Sequence, residues 1–168
     1  VQHQQINEAI EDLYVSLSKG NVILTTKEAA GRANGMTVAW GFFGNLWNES
    51  FFIATVRPYR YTWKGIRESQ RFTVNVLSDE YSEGLKYFGT VSGRTEDKFE
   101  KGYLHLDDTL EEYCAPILEA HLILDCTVVT TNNLQPCLIS EETIRQFYQS
   151  DNGYHTLFYG RIDRMIRR

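Results

Sequence analysis

The stretch from Leu118 to Val128 limits the fold more than any other part of this 168-residue chain. Leu118, Ala120, Leu122, Leu124, Cys126 and Val128 are apolar at every second position, and Glu119, His121, Asp125 and Thr127 alternate with them. A period of two sends the first set to one face of a strand and the second to the other. So long a strand with one wet face predicts an antiparallel sheet or barrel. Val22 to Thr26, Met36 to Gly41, Phe51 to Val56 and Phe72 to Leu77 read as further strands, and His155 to Ile166 as the closing one. Gly31 to Gly35 predicts a turn, and Phe42 to Ser50, rich in glycine and asparagine, a hairpin loop.

The 3.6-residue period appears elsewhere. Ile6, Ile10, Leu13 and Leu17 recur at helical spacing, with Asn7 near the start and Gly20 at the end. Thr62 to Gln70 predicts a short helix. Asp79 to Phe88 predicts another, capped by Ser78 or Asp79 and stopped at Gly89. Ser140-Glu141-Glu142 opens a helix carrying Ile144, Phe147 and Tyr148, with its acids in the first turn, and Asp151 to Gly153 is a turn. No repeat, linker or low-complexity tract intervenes. Residues 1–168 are therefore expected to form one domain, mainly β with peripheral helices (α+β), built on an antiparallel barrel.

Composition excludes several classes. With 42% apolar and 23% charged residues, disorder is not the default, and the 13% aromatic content supplies flat surfaces that can stack a ring. A net charge of −5 argues against nucleic acid, where a basic stripe is expected. Arg161, Arg164, Arg167 and Arg168 read as a solvated strand edge and chain end. Cys114, Cys126 and Cys137 have neither metal-ligand spacing nor an even count, which suits a reduced intracellular compartment, with Cys126 a buried small hydrophobe. His3, His105 and His121 have no partners at ligand spacing, so no metal site is expected. No run approaches roughly 18 apolar residues, and no basic-then-apolar leader opens the chain. No membrane partner and a cytoplasmic setting are the expectation.

The chemistry concentrates at two corners. Val56-Arg57-Pro58-Tyr59-Arg60-Tyr61-Thr62-Trp63 leaves an apolar strand, turns at proline and enters a helix. Backbone N–H groups at a helix start, backed by guanidinium groups, suit a phosphate. Ser92-Gly93-Arg94-Thr95-Glu96-Asp97-Lys98-Phe99 adds small residues and two more cations. Lys64 and Arg67 read instead as a charged helix surface balanced by Glu68. GxxxxGK[ST], GxGxxG and the nucleophile elbow are all absent. Thr37 to Trp40 can offer strand-edge backbone groups to a heteroaromatic ring; the alternative is an ordinary buried strand with Trp40 in the core. His155 is either a contact to a cofactor or second substrate, or a hydrogen-bonded turn histidine.

Asn34-Gly35-Met36-Thr37-Val38-Ala39-Trp40, the Val56-to-Thr62 block, and Gly89-Thr90-Val91-Ser92-Gly93-Arg94 with Lys98-Phe99 resemble the flavin reductase-like family. This is the FMN-binding split-barrel group that includes flavoredoxin. His155 to Gly160 resembles its closing strand, and the blocks keep the family's order over roughly residues 20 to 165. The resemblance implies a homodimeric antiparallel split β-barrel that binds FMN non-covalently. It places Thr37, Val38, Ala39 and Trp40 along the flavin ring, with Asn34 and Met36 beside them. Arg57, Pro58, Tyr59, Arg60, Tyr61 and Thr62 would hold the ribityl chain and phosphate, and Ser92, Gly93 and Lys98 the far side of the phosphate. It further implies an oxidoreductase taking hydride from NAD(P)H, with His155 touching the nicotinamide and a free flavin or redox protein as acceptor. The alternative is an electron carrier reduced by a protein partner. Tyr59 departs from the family's usual serine, the Gly41-to-Ser50 loop lacks paired prolines, and Leu134 to Gly153 is longer than in the compact reductases.

Overall fold

The structure is a computed structural model that describes residues 3–149 and 153–168. Seven strands form one sheet: β1 (Val22–Lys27), β2 (Ala33–Val38), β3 (Gly41–Leu46), β4 (Glu49–Val56), β5 (Arg71–Val76), β6 (Leu122–Asn133) and β7 (Thr156–Arg167). Their order is β2-β1-β5-β6-β7-β4-β3, and each neighbouring pair is antiparallel. The two outermost strands, β2 and β3, are consecutive in the chain and joined only by Ala39 and Trp40. Three Cα–Cα steps span at most about 11 Å, so the sheet must curl until its edges nearly meet. They do not pair. The result is an open barrel, split between β2 and β3.

One face of the curled sheet fills its interior. Val22, Leu24, Phe52, Ala54, Val56, Phe72, Val74, Leu122, Leu124, Cys126 and Phe158 are buried in a single cluster, each set two residues apart along its strand. Phe52 and Phe72 meet at 6.4 Å between ring centroids. Gly160 makes this possible: a Cβ there would lie 2.4 Å from the tip of the Phe72 ring. Helix α1 (His3–Lys19) adds Ala9, Leu13 and Leu17 to the cluster. The apolar stripe is rotated from the expected one, since Ala9 is buried and Ile10 is exposed. The helix also begins before Asn7, which therefore does not cap it.

The wet face expected of the long strand is missing from its first half. Leu122 to Cys126 is buried on both sides, and the strand begins at Leu122, leaving Leu118 exposed. Outside the barrel, Ile23 and Ile123 pack against Leu85 and Phe88 of helix α3 (Ser82–Thr90) and against Leu104, Tyr113 and Ile117 of the following irregular segment. Asp125, on that covered side, accepts hydrogen bonds from Arg71 (2.6 Å), Arg164 (3.1 Å), Thr73 (3.3 Å) and the Cys114 N–H (3.0 Å). Satisfied this fully, a carboxylate can occupy a covered face. β5 is likewise buried on both faces over Phe72 to Val76.

Three boundaries also differ from the sequence reading. Ala33 to Val38 is already strand, and Phe42 to Leu46 is the strand β3 rather than a loop. A two-residue turn, with Trp47 at φ 52° and Asn48 at φ 62°, closes the β3–β4 hairpin. Both are in the left-handed region that a type I′ turn requires. Ser78 precedes a short 3₁₀ turn without a side-chain capping bond, and α3 continues through Gly89 to Thr90. Helix α2 (Tyr61–Ser69) lies where expected, with Lys64 3.5 Å from Glu68. Helix α4 (Glu141–Phe147) is capped by Ser140, which accepts from the Thr143 N–H. The turn expected at Asp151 and Asn152 lies outside the described residues.

Gly160→Ala forces the Phe72 ring to move inside a filled barrel, and overpacking of this kind costs about 1–3 kcal/mol. Urea unfolding is expected to show that loss; a midpoint equal to the parent's would mean that the interior has slack at this point.

Candidate functional site

Two adjoining cavities open where the barrel is split. The first, about 220 Å³, is bounded by Asn34 and Met36 of β2, by Tyr59 to Thr62 at the start of α2, and by Thr90 to Arg94 with Lys98. The second, about 350 Å³, runs along Met36 to Trp40 and is closed by Thr55, Arg57 and His155. Met36, Tyr59 and Arg60 belong to both, so the two are continuous.

Cations gather in the first cavity. Arg60, Arg94 and Lys98 line it, no acidic side chain does, and among the described residues none of the three lies within 4.0 Å of a carboxylate. Each binds backbone carbonyls instead: Arg60 donates to Gly89 (3.2 Å), Arg94 to Tyr59 (2.8 Å), and Lys98 to Gly35 (2.7 Å) and Phe88 (2.9 Å). Lys98 is buried, and burial, with Arg60 nearby, lowers its pKa to about 8. It stays mostly charged at neutral pH while its charge is poorly solvated, a condition that an arriving anion relieves. Helix α2 adds its positive end: Arg60 at the N-cap makes no side-chain capping bond, and the first turn has no acidic residue. Asn34 donates to the Thr62 hydroxyl at 2.9 Å, joining β2 to that helix start. Only glycine fits at position 93, because a Cβ there would lie 2.1 Å from Asn34 Oδ1.

The second cavity has a different chemistry. β2 pairs with β1 alone, so its other edge leaves backbone N–H and C=O groups without a ladder partner, and the cavity lies along that stretch. Trp40 is not core; it is 46% exposed at the rim, 5.4 Å from Phe147 edge-to-face and 5.2 Å from the His155 ring. Arg57 stands at this rim rather than at the first cavity. It donates to the Phe147 carbonyl and lies 5.0 Å over the Tyr148 ring, which ties the α4 segment to the mouth.

His155 is buried, with Nδ1 2.7 Å from the Tyr148 hydroxyl. Burial first, and the positive Arg57 second, lower its pKa to about 4, so the ring is neutral at neutral pH. Among the described residues no buried side-chain N or O lacks a partner, and Nε2 makes no hydrogen bond. His155 itself lines the second cavity.

The structure thus brings together every residue singled out in the sequence except Pro58, which lines neither cavity and turns its ring toward Gly153. Sequence reasoning did not single out Thr55, Thr90 and Val91 as lining residues; Thr90 and Val91 end a helix and carry no chemical signature. Arg94 was read as one of the two cations of the second corner but was not among the residues the resemblance assigned to the phosphate.

The sequence profile described as "Flavin reductase like domain" matches residues 14–168. An uncharacterized protein of Aeropyrum pernix is 33% identical over 72 residues, which cover 43% of this chain and 27% of that protein; the chain thus matches about a quarter of its curated relative. Among solved structures, the flavoredoxin of Methanosarcina acetivorans aligns with a TM-score of 0.67 and 25% identity over 88% of this chain and 67% of its own. An FMN-binding domain of a flavin reductase-like enzyme from Shewanella baltica aligns at 0.65 and 15% over 93% of this chain and 73% of its own, a likeness of fold alone.

The His155 shift has a signed consequence. Between about pH 6.5 and about pH 4 the unfolded chain binds a proton that the folded one does not, so stability falls as pH falls through that window. Urea unfolding at stepped pH should show a steeper acid loss for the wild type than for His155→Gln; parallel curves would mean that the ring titrates normally.

Proposed function

The chain belongs to the flavin reductase like domain family, and on that premise we propose that it is an FMN-dependent oxidoreductase of the NAD(P)H:flavin reductase type. The chemistry that bound FMN would supply is hydride transfer from a nicotinamide and onward to a free flavin or another acceptor. The observation that carries this reading is the continuity of the two cavities: a cationic one without carboxylates opens into a slot along an unpaired strand edge.

The residues present fit FMN by their donor set. Arg60, Thr62, Ser92, Lys98 and Arg94 would hold the phosphate, with the Gly93 backbone admitted close because it carries no side chain. Tyr59 would offer its backbone and ring face rather than a short hydroxyl. Main-chain groups of Thr37 to Trp40 would meet the polar rim of the flavin ring, with Met36 lining both cavities where they join. FMN supplies the redox chemistry when bound, and the protein supplies position and electrostatics. Holding two rings in a reactive arrangement contributes several kcal/mol without any acid or base. His155 would give the second ring a hydrogen bond through Nε2, and its neutral state avoids a second cation beside Arg57.

A second reading, a flavoredoxin-like electron carrier reduced by a protein partner, is favoured by the 25% identity to a flavoredoxin over most of the chain. Either form is proposed to be a cytoplasmic homodimer. Phe42, Trp47 and Val129 are large apolar residues left exposed, which supports a covered face in the dimer. Cys114, Cys126 and Cys137 are free thiols, which supports a reducing compartment. Among the described residues no helix is long and apolar enough to cross a membrane.

Under anaerobic NADH or NADPH the FMN-loaded protein should lose its visible flavin absorption; if it stays oxidised with both but is reduced by a ferredoxin-like donor, the carrier reading replaces the reductase one. Arg60→Ala should weaken FMN binding by about 1.5–3 kcal/mol, the range for a charge-assisted hydrogen bond, as read by fluorescence titration. FMN affinity should also fall as pH rises through about 8, where free Lys98 loses its charge, and Lys98→Met should abolish that slope.

A further inference from the structure

We infer that Glu28 and Arg32, in the turn between β1 and β2, are the positioning pair that holds the two halves of the phosphate seat together. The inference rests on the FMN reading above. Neither residue lines either of the two cavities. Arg32 Nε and Nη2 both donate to Glu28 Oε1, at 3.1 and 2.9 Å. The same Nη2 donates to the Gly93 carbonyl at 2.8 Å and to the Tyr61 hydroxyl at 3.2 Å, and that hydroxyl donates to Glu28 Oε2 at 3.0 Å. One guanidinium therefore grips both corners, which lie 61 and 29 residues away in sequence.

What this grip does follows from dipoles. A peptide carbonyl near an anion is repulsive, and Arg32 engages the carbonyl of Gly93, the residue pressed against Asn34. Tyr61, the first residue of α2, is fixed by the same group, so the 92–94 loop and the helix start share one anchor. The guanidinium groups of Arg32 and Arg94 each stand 5.6 Å from the Tyr61 ring centre, so the anchored ring also steadies a cation that does line the cavity. Glu28 balances the charge of Arg32. The pair therefore adds geometry to the seat rather than net positive potential.

That distinction fixes the sign of the test. Wild type, Glu28→Gln and Arg32→Lys are titrated with FMN and with riboflavin, followed by flavin fluorescence. Removing a carboxylate near a cationic cavity would, by charge alone, tighten an anion. Glu28→Gln is instead expected to weaken FMN about tenfold and leave riboflavin, which lacks the phosphate, within about twofold. Arg32→Lys keeps the charge but not the planar fork, and the same selective loss is expected. An unchanged or tighter FMN affinity in Glu28→Gln, wild-type affinity in Arg32→Lys, or equal losses for both flavins overturns the inference. A wild type that binds FMN no better than riboflavin removes the phosphate seat itself, which is a separate failure.

Discussion

Two residues, Ala39 and Trp40, connect the strands at opposite ends of a seven-stranded order, and the rest of the molecule follows from that short link. A sheet with its edges tethered so closely cannot lie open. It curls, fills its inside with alternate apolar residues, and leaves a seam where β2 and β3 approach without pairing. Unpaired strand edges are ordinarily a liability. Here the seam lies beside the helix start and the 92–98 loop, and the exposed backbone becomes the wall of a cavity.

Electrostatics completes what the seam begins. The chain is acidic overall at −5, yet its cavity cations are held away from carboxylates by bonds to carbonyl oxygens. A carbonyl bond orients a cation without neutralising it. Lys98 shows the consequence most clearly: it spans Gly35 of β2 and Phe88 of α3, so one buried ammonium ties the strand to the helix and remains available as charge. Arg32 stands in contrast, paired to Glu28 and outside the cavity, with its donors given to geometry.

The α4 segment is added to this frame. Arg57, Phe147, Tyr148 and His155 interlock at the mouth of the second cavity. The aromatic surface there is partly exposed, and burial, with the positive Arg57 nearby, holds the His155 ring neutral.

Local sequence was enough for an antiparallel sheet or barrel, for α2 and α4, and for the cationic corners at 57–62 and 92–98. Each is encoded within a few neighbouring residues, by periodicity, capping or charge. At 37–40, by contrast, spacing alone favoured a buried strand with Trp40 in the core, and only the family resemblance pointed to an edge along a ring. Which faces are covered was not local. The polar residues alternating along β6 looked like a wet face, and only the packing of α3 and residues 99–121 against it turned Asp125 into a buried, fully bonded carboxylate. The sorting of the arginines was not local either. Arg57 and Arg60 are three residues apart, yet one fastens α4 and the other faces the cationic cavity, because a turn at Pro58 separates them and distant carbonyls choose their partners. Arg32 carries no signal in one dimension; its role exists only because the curled sheet brings Gly93 and Tyr61 within reach of the same guanidinium.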